Sequence, residues 1–177
     1  EDFERFLSRV IPALGVIGDL AHMTTVTQIG LRYVDILSPD DKGGAERHLV
    51  ESLRGIEGSA LSEVEGVDHI EQLKPERTRR MFESVYKTQF GLLIQRIIEN
   101  TGTPALAPDV LQTKLRLSEP TPKEGARFVT LDTDHFVSSL DQKFELASVE
   151  AIFRGLHIGT SASFFSVFTD EGVGSWE

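Results

Sequence analysis

The clearest hydrophobic pattern in the chain runs from residue 125 to residue 168, where two periodicities follow one another. Apolar and polar residues alternate along 126–136, which is typical of a β-strand with one buried face. A polar break follows at 137–143, and apolar residues then recur at helical spacing from Val149 to Phe168. A strand that leads into a long helix is a folding unit, because the helix can lay its apolar stripe on the sheet. We therefore predict that Phe153 and Leu156 are core residues.

The first element of the chain is predicted to be an amphipathic helix. Apolar residues from Phe3 to Leu14 recur at i, i+3, i+4 and i+7, so they lie on one helical face. Pro12 should kink this helix or end it early, because proline removes a backbone hydrogen bond. Gly15 and Gly18 are expected to stop it.

Three further segments complete the first half of the prediction. Residues 24–37 are rich in β-branched side chains and predict a strand. Apolar spacing in 45–56, between glycines, predicts a short helix. Residues 58–68 contain few large apolar side chains, and they predict a loop.

The second half of the chain predicts three successive strands, at 84–98, 110–118 and 126–136. A helix over 84–98 is the alternative, but Thr88 and Gly91 are poor helix-interior residues, so we favour a strand. Strands joined by short turns pair as neighbours in an antiparallel meander. The predicted fold class is α+β, with an antiparallel meander sheet of about four strands and helices packed on one face.

Length and composition suit one globular domain. A chain of 177 residues with 40% hydrophobic and 26% charged residues can bury a single core, so we predict one domain over 1–177. It starts at Glu1 rather than methionine and ends at Trp176-Glu177, and we expect it to be the C-terminal portion of a longer chain.

Charge and cysteine content narrow the classes of function. The formal net charge of −10 argues against nucleic acid as a partner, because duplex binding needs a basic face. No apolar run is long enough to span a bilayer, so we expect no membrane partner. Cysteine is absent, which excludes thiolate catalysis and fits a cytoplasmic location.

Three stretches resemble motifs of a sporadically distributed family of uncharacterised bacterial and archaeal proteins, in the same order. They are Ile29–Asp35, which resembles the family's GLRY-[IV]-[ND] strand; Leu131–Phe136, which resembles its D-x-D-x-F strand end; and Leu156-His157 with Phe164-Phe165, followed by Thr169-Asp170-Glu171 and Trp176, which resembles its closing L-H helix. The family normally carries an N-terminal region that is missing here. The resemblance implies an α+β fold and brings no catalytic residue.

The D-x-D-x-F stretch contains the first candidate ligand-binding group. Asp132 and Asp134 are two residues apart on a strand, so both carboxylates point to one face, and His135 follows at the strand end. Two carboxylates could hold Mg²⁺ or Ca²⁺. We favour the alternative that they face solvent or cap the following turn, because a metal needs more ligands than the sequence supplies. We predict no metal site.

Arg32 is the second candidate, since it lies between apolar residues in the middle of a predicted strand. A buried arginine requires a partner. A ligand carboxylate or phosphate could supply it, but we expect an internal Asp or Glu.

Arg77, Arg79 and Arg80 form the one dense basic cluster, with Lys74 nearby. The cluster could contact an anion or an acidic partner, although a solvated surface is the simpler interpretation. The five histidines show no metal-binding spacing, and no phosphate-loop, dinucleotide or nucleophile-elbow motif occurs. We predict no cofactor and assign no catalytic residue. His157 is expected to be a hydrogen-bonded helix residue.

Two functions remain open at this point. The first is a non-catalytic interaction or partner module that binds a protein or a second copy of itself, and an association with defence or toxin–antitoxin systems is one form that it could take. The second is a ligand-binding or enzymatic domain that uses the sheet face around Arg32, Asp132 and Asp134. We favour the first, because no catalytic signature occurs in the sequence.

Overall fold

The computed structural model describes residues 3–37, 45–54, 78–112 and 125–174. The elements in these ranges, in chain order, are α1 (Phe3–Leu20), β1 (Thr25–Leu37), a 3-10 turn (Ala45–His48), α2 (Glu51–Arg54), β2 (Arg79–Thr88), β3 (Gly91–Thr101), α3 (Pro108–Gln112), β4 (Arg127–Lys143), α4 (Leu146–Val167) and α5 (Asp170–Gly174).

The four strands form one antiparallel sheet in the order β1-β4-β3-β2, and the predicted α+β class is confirmed. β2 and β3 are a hairpin, and β4 returns beside β3, where Gly102 N–H donates to Ala126 O at 2.8 Å. β1 pairs with the far side of β4. β1 and β2 are therefore the edge strands among the described residues.

The prediction of one strand over 84–98 is wrong, because a turn at Gln89-Phe90 divides this segment into β2 and β3. Gly91 is the reason for the turn's position. Its φ of +143° is unfavourable for other residues, and a Cβ there would lie 2.2 Å from Phe136 O. The backbone of β4 thus passes close to the start of β3.

The prediction of a strand over 110–118 is also wrong where it can be checked, because Pro108–Gln112 is a short helix. Residues 113–118 and the predicted loop at 58–68 lie outside the described residues. The predicted helix over 45–56 is broken within its described part. Leu49 forms an antiparallel bridge with Phe168 there, between the 3-10 turn and α2.

α1 is longer than predicted, because neither Pro12 nor the two glycines end it. Gly18 makes room for a neighbour instead: a Cβ there would lie 2.3 Å from the Phe144 ring. The helix ends at a left-handed residue, His22 with φ 51°, and Met23 N–H closes the last turn on Gly18 O at 2.9 Å.

The confirmed strand at 126–136 continues through the predicted polar break to Lys143. Pairing with β1 explains this, since Phe144 N–H donates to Thr24 O at 2.9 Å just beyond the strand. Backbone pairing here prevails over the low strand propensity of the side chains. Ser139 and Asp141 have positive φ, which marks irregular backbone in this polar part.

The chain folds into two compact units, each built from three separate segments. The first contains the described residues of Glu1–Val34, Glu83–Gln95 and Asp132–Phe164, and the second those of Asp35–Phe82, Arg96–Leu131 and Phe165–Glu177.

In the first unit, α1 and α4 pack on one face of the sheet. Their buried apolar residues meet Ile29 and Leu31 of β1. Phe153 is 8% exposed and Leu156 is fully buried, so the prediction that both are core residues is confirmed. In the second unit, the bridged residues Leu49 and Phe168 are both buried, and Val50 N–H donates to Val167 O at 2.9 Å.

Candidate functional site

Arg32 and Asp132 form a two-pronged ion pair between β1 and β4. Arg32 Nε donates to Asp132 Oδ1 and Arg32 Nη2 donates to Oδ2, each at 2.7 Å. The Asp132 side chain is 2% exposed and that of Arg32 is 22% exposed. The expected internal acid is thus present, and it is one of the predicted ligand-binding residues. The prediction that Asp132 faces solvent or caps a turn is wrong.

This pair joins two of the candidate ligand-binding residues to each other. Both oxygens of Asp132 accept from one guanidinium, which is the strongest common geometry for these side chains. A ligand that replaced Asp132 as the partner of Arg32 would leave a buried carboxylate unpaired, and an unpaired buried charge is costly. Asp134 lies half-buried on the same strand face as Asp132.

His135 points to the opposite face of β4 and is fully buried. Its Nδ1 lies 2.8 Å from Leu156 O in α4, and its Nε2 lies 2.9 Å from Thr88 Oγ1. A carbonyl oxygen only accepts, so the hydrogen is on Nδ1. Both ring nitrogens are then occupied within the protein, which is the arrangement of a structural histidine.

Thr88 connects this histidine to the β2–β3 turn. Its Oγ1 accepts from Phe90 N–H at 3.0 Å and lies 3.0 Å from Gly91 O. The Thr88 hydroxyl therefore contacts both the β2–β3 turn and the His135 ring, and the other nitrogen of that ring bonds to α4. Sequence reasoning missed Thr88, because it assigned this residue to the middle of a single strand.

Three small residues of α4, spaced four apart, lie where side chains of the β2–β3 turn, β4 and β3 approach the helix closely. A Cβ at Gly155 would lie 2.6 Å from the Phe90 ring, and a Cβ at Gly159 would lie 2.4 Å from the His135 ring. At Ser163, Oγ accepts from Gln95 Nε2 at 2.6 Å. The sequence analysis also missed this stripe, whose signal was two glycines and a serine at i, i+4 and i+8 of one helix.

His157 lies beside the described start of α1. Its ring stacks on Phe3 with 3.8 Å between centroids and 13° between planes, and the Tyr33 hydroxyl lies 3.3 Å from Nδ1. Burial lowers the pKa of His157, and the nearby charge of Glu4 opposes that shift. Stacking and partial burial give this histidine a packing role.

Asp35 is a titratable group whose environment the sequence did not reveal. It is half-buried near the end of β1, and this burial raises the pKa of its carboxyl above the usual value. The motif Ile29–Asp35 thus contains two contrasting charges: Arg32, which is paired, and Asp35, whose charge is disfavoured by its surroundings.

The predicted basic cluster divides into residues with different roles. Arg77 lies outside the described residues. Arg79 is exposed, whereas Arg80 is 14% exposed, pairs with Glu99 and donates to Leu53 O at 2.7 Å. The Arg80 guanidinium also lies 4.7 Å above the Phe82 ring. Arg80 is therefore chiefly a structural residue.

A cleft opens beside this cluster at one end of the sheet. It is shallow and open to solvent, with a cavity volume of about 10 Å³, which is room for about one water molecule. Starts of β2 and β4 and the end of β3 contribute its lining, which is Thr78, Arg79, Arg80, Glu99, Asn100, Thr101 and Arg127. Arg80 Nε is buried there without a hydrogen-bond partner among the described residues. The three arginines outweigh the one glutamate, so the lining is positive in a chain of net charge −10.

β2 presents apolar side chains to solvent along the edge of the sheet. Val85 is 56% exposed and Tyr86 is 49% exposed, and Glu83 and Lys87 beside them are also exposed. An edge strand with exposed apolar residues carries outward N–H and C=O groups that can pair with another strand. Sequence reasoning missed this edge, since it treated β2 and β3 as one strand.

Within the described ranges, no group of three or more His, Cys, Asp or Glu side chains could hold a metal ion. The expectation that Asp132 and Asp134 bind no divalent metal stays a prediction. No helix among these residues is long and apolar enough to cross a membrane.

Comparisons with protein-family models, with curated proteins and with solved structures found no match to this chain.

Proposed function

We propose that the protein is a non-catalytic interaction module that binds a protein partner through the exposed edge of β2. The observation that carries this proposal is the exposure of Val85 and Tyr86 on an edge strand. Strand addition at such an edge is a recurring mode of protein recognition, in which backbone hydrogen bonds supply affinity.

The state of the polar candidates supports the same proposal. Arg32 and Asp132 occupy one another, and His135 is held by Leu156 O and Thr88. The alternative, a ligand-binding or enzymatic site around Arg32, Asp132 and Asp134, would use two residues that already bond to each other in a largely buried ion pair. We further propose that this module acts in the cytoplasm of a bacterial cell, in keeping with the absence of cysteine and with the family resemblance.

Native mass spectrometry of the protein purified from its own host tests the proposal. The unchanged protein is expected to carry a stoichiometric protein partner, either another chain or a second copy. Val85→Lys should abolish that species, because it places a charge in the centre of the edge. Ile158→Lys is the matched control, since Ile158 is 60% exposed on α4. Equal binding by both variants would contradict a role for β2.

The cleft with Arg79 and Arg127 supports a second candidate function, recognition of an acidic group on a ligand or partner. Guanidinium groups bind phosphate and carboxylate oxygens well, and the buried Arg80 Nε adds an unused donor nearby.

Inorganic phosphate provides a probe for this cleft. Phosphate should raise the thermal midpoint above that in chloride of equal ionic strength, because a ligand of the folded state stabilises it. The double variant Arg79→Gln, Arg127→Gln should lose the increase, whereas Arg154→Gln, on the exposed face of α4, should keep it. An increase unaffected by the double variant would place the anion elsewhere.

A further inference from the structure

The hairpin register identifies which backbone groups of β2 face away from β3. The two-residue turn sets Thr88 opposite Gly91, and the same register sets Thr78 opposite Thr101, whose N–H donates to Thr78 O at 3.0 Å. Hydrogen-bonded pairs recur at every second residue of an antiparallel ladder. Even-numbered residues of β2 therefore bond to β3, and Glu83, Val85 and Lys87 direct their N–H and C=O groups outward.

We propose that the partner of this edge is a second copy of β2, paired antiparallel about a two-fold axis at Val85; this rests on the proposed function. In that register Val85 lies opposite its own copy, and Glu83 lies opposite Lys87 of the other protomer. The two-fold axis generates a second Glu83–Lys87 pair, so the dimer contains two attractive charged pairs. All three pairs use outward-facing groups, which gives about six backbone hydrogen bonds.

Side chains on the two faces of the paired strands are also compatible. On the face with Val85, an apolar pair lies between two pairs of opposite charge, and each such cross-strand pair is favourable. On the other face Ser84 lies opposite Tyr86 of the second copy. Glu83 and Lys87 cancel, so the pairing segment 83–88 is neutral although the chain carries a net charge of −10.

The charge pattern also discriminates among registers. An axis at Glu83 would place two glutamates opposite each other and Arg79 opposite Lys87, and an axis at Lys87 would pair two lysines. Like charges directly opposite destabilise a strand pair. An axis at Met81 would pair Arg79 with Glu83 and would not use Lys87, so variants of Lys87 separate it from the register at Val85.

Charge reversal tests the register, with sedimentation velocity as the readout. Glu83→Lys and Lys87→Glu should each weaken self-association of the full chain by about tenfold or more, because each places two like-charged pairs in the dimer. An equimolar mixture of the two variants should form a heterodimer of about the original strength, since every pair is again opposite in charge. Unchanged denaturation curves would show that each variant folds.

Other outcomes would overturn the proposal in distinguishable ways. A protein that stays monomeric up to about millimolar concentration has no self-pairing of this kind. Disruption by Glu83→Lys alone, with Lys87→Glu unaffected, would move the axis to Met81. A different protein bound at β2 in the host, lost on Val85→Lys, with no dimer in the pure protein, would refute self-pairing and leave the proposed function standing. If a partner still binds the Val85→Lys variant, both the self-pairing and the proposed function are refuted.

Discussion

At the scale of single residues, the ion pair between Arg32 and Asp132 links β1 to β4. Arg32 and Asp132 lie 100 residues apart in the chain yet bond through both oxygens of one carboxylate. The sequence predicted that a buried Arg32 needs an internal acid. The sequence could not identify this acid as Asp132, because its identity depends on which strand lies beside β1.

The Arg32–Asp132 pair makes a direct prediction about stability. Asp132→Asn should lower the free energy of unfolding by about 3–5 kcal/mol, because it leaves a partly buried guanidinium without its counter-charge. Glu4→Gln is the matched control, since Glu4 also bonds an arginine through two oxygens but is exposed at the protein surface. Urea denaturation measures both variants. If Asp132→Asn lowers the free energy of unfolding as little as Glu4→Gln does, the Arg32–Asp132 pair contributes little to stability.

Asp35 predicts a dependence of stability on pH. Burial raises its folded-state pKa above the ordinary value of 3.8, so the folded state binds its proton more tightly than the unfolded state. The contribution of Asp35 to the free energy of unfolding is then largest at low pH and is lost as pH rises through the folded-state pKa. Asp35→Asn should increase stability at pH 7 relative to the unchanged protein and flatten the curve above pH 4.

The control for that experiment is Asp19→Asn, which removes one negative charge from an exposed position of α1. Thermal midpoints measured from pH 4 to pH 8 would separate the effect of burial from that of net charge. Equal stabilisation by both variants at pH 7 would mean that the burial of Asp35 has no effect of its own.

At the scale of elements, periodicity located most segments correctly and failed where contacts between elements decide. β1 and α4 follow their local patterns closely. β4 continues through a polar stretch because β1 pairs with it, and α1 passes two glycines because Phe144 needs the space at Gly18. Neither cause is visible in a local window of sequence.

The small-residue stripe of α4 predicts an unusual response to a helix-favouring change. Gly→Ala normally stabilises a helix by about 1 kcal/mol. Gly159→Ala should instead destabilise the protein by about 1–3 kcal/mol, because the added Cβ would overlap the His135 ring. Gly15→Ala is the matched control, since its Cβ meets only the flexible end of the Leu146 side chain at 3.1 Å. Equal effects in denaturant titration would contradict the close packing of His135 on α4.

The apolar side of α4 predicts a large difference between two phenylalanines. Phe153→Ala should cost about 3–5 kcal/mol, because it opens a cavity in the core formed with α1 and β1. Phe165→Ala, at a position 61% exposed on the same helix, should change stability by about 0.5 kcal/mol or less. A loss below about 1 kcal/mol for Phe153→Ala would mean that this helix face carries little of the core.

At the scale of the whole molecule, the buried core that stabilises the fold is distinct from the β2 edge that we propose as the binding surface. The fold class and the core were accessible from the sequence, because both follow from hydrophobic periodicity. The edge was not, because it depends on where one turn divides a segment whose pattern is that of a continuous strand. Gln89 and Phe90 are not typical turn residues, so nothing in their identity marks a turn. Glycine is required at position 91 because Phe136 O of β4 would lie too close to a Cβ there.

Amide hydrogen exchange along β2, followed residue by residue by NMR, tests the central claim most directly. In dilute, unpartnered protein the outward amides of Glu83, Val85 and Lys87 should exchange quickly, while those of Ser84 and Tyr86, which bond to β3, should be protected. Adding the partner, or concentrating the protein until it pairs with itself, should protect the odd-numbered amides and leave the even-numbered ones unchanged. Protection of the odd-numbered amides already in the dilute monomer, or their continued fast exchange in the complex, would contradict a role for β2 as the interacting edge.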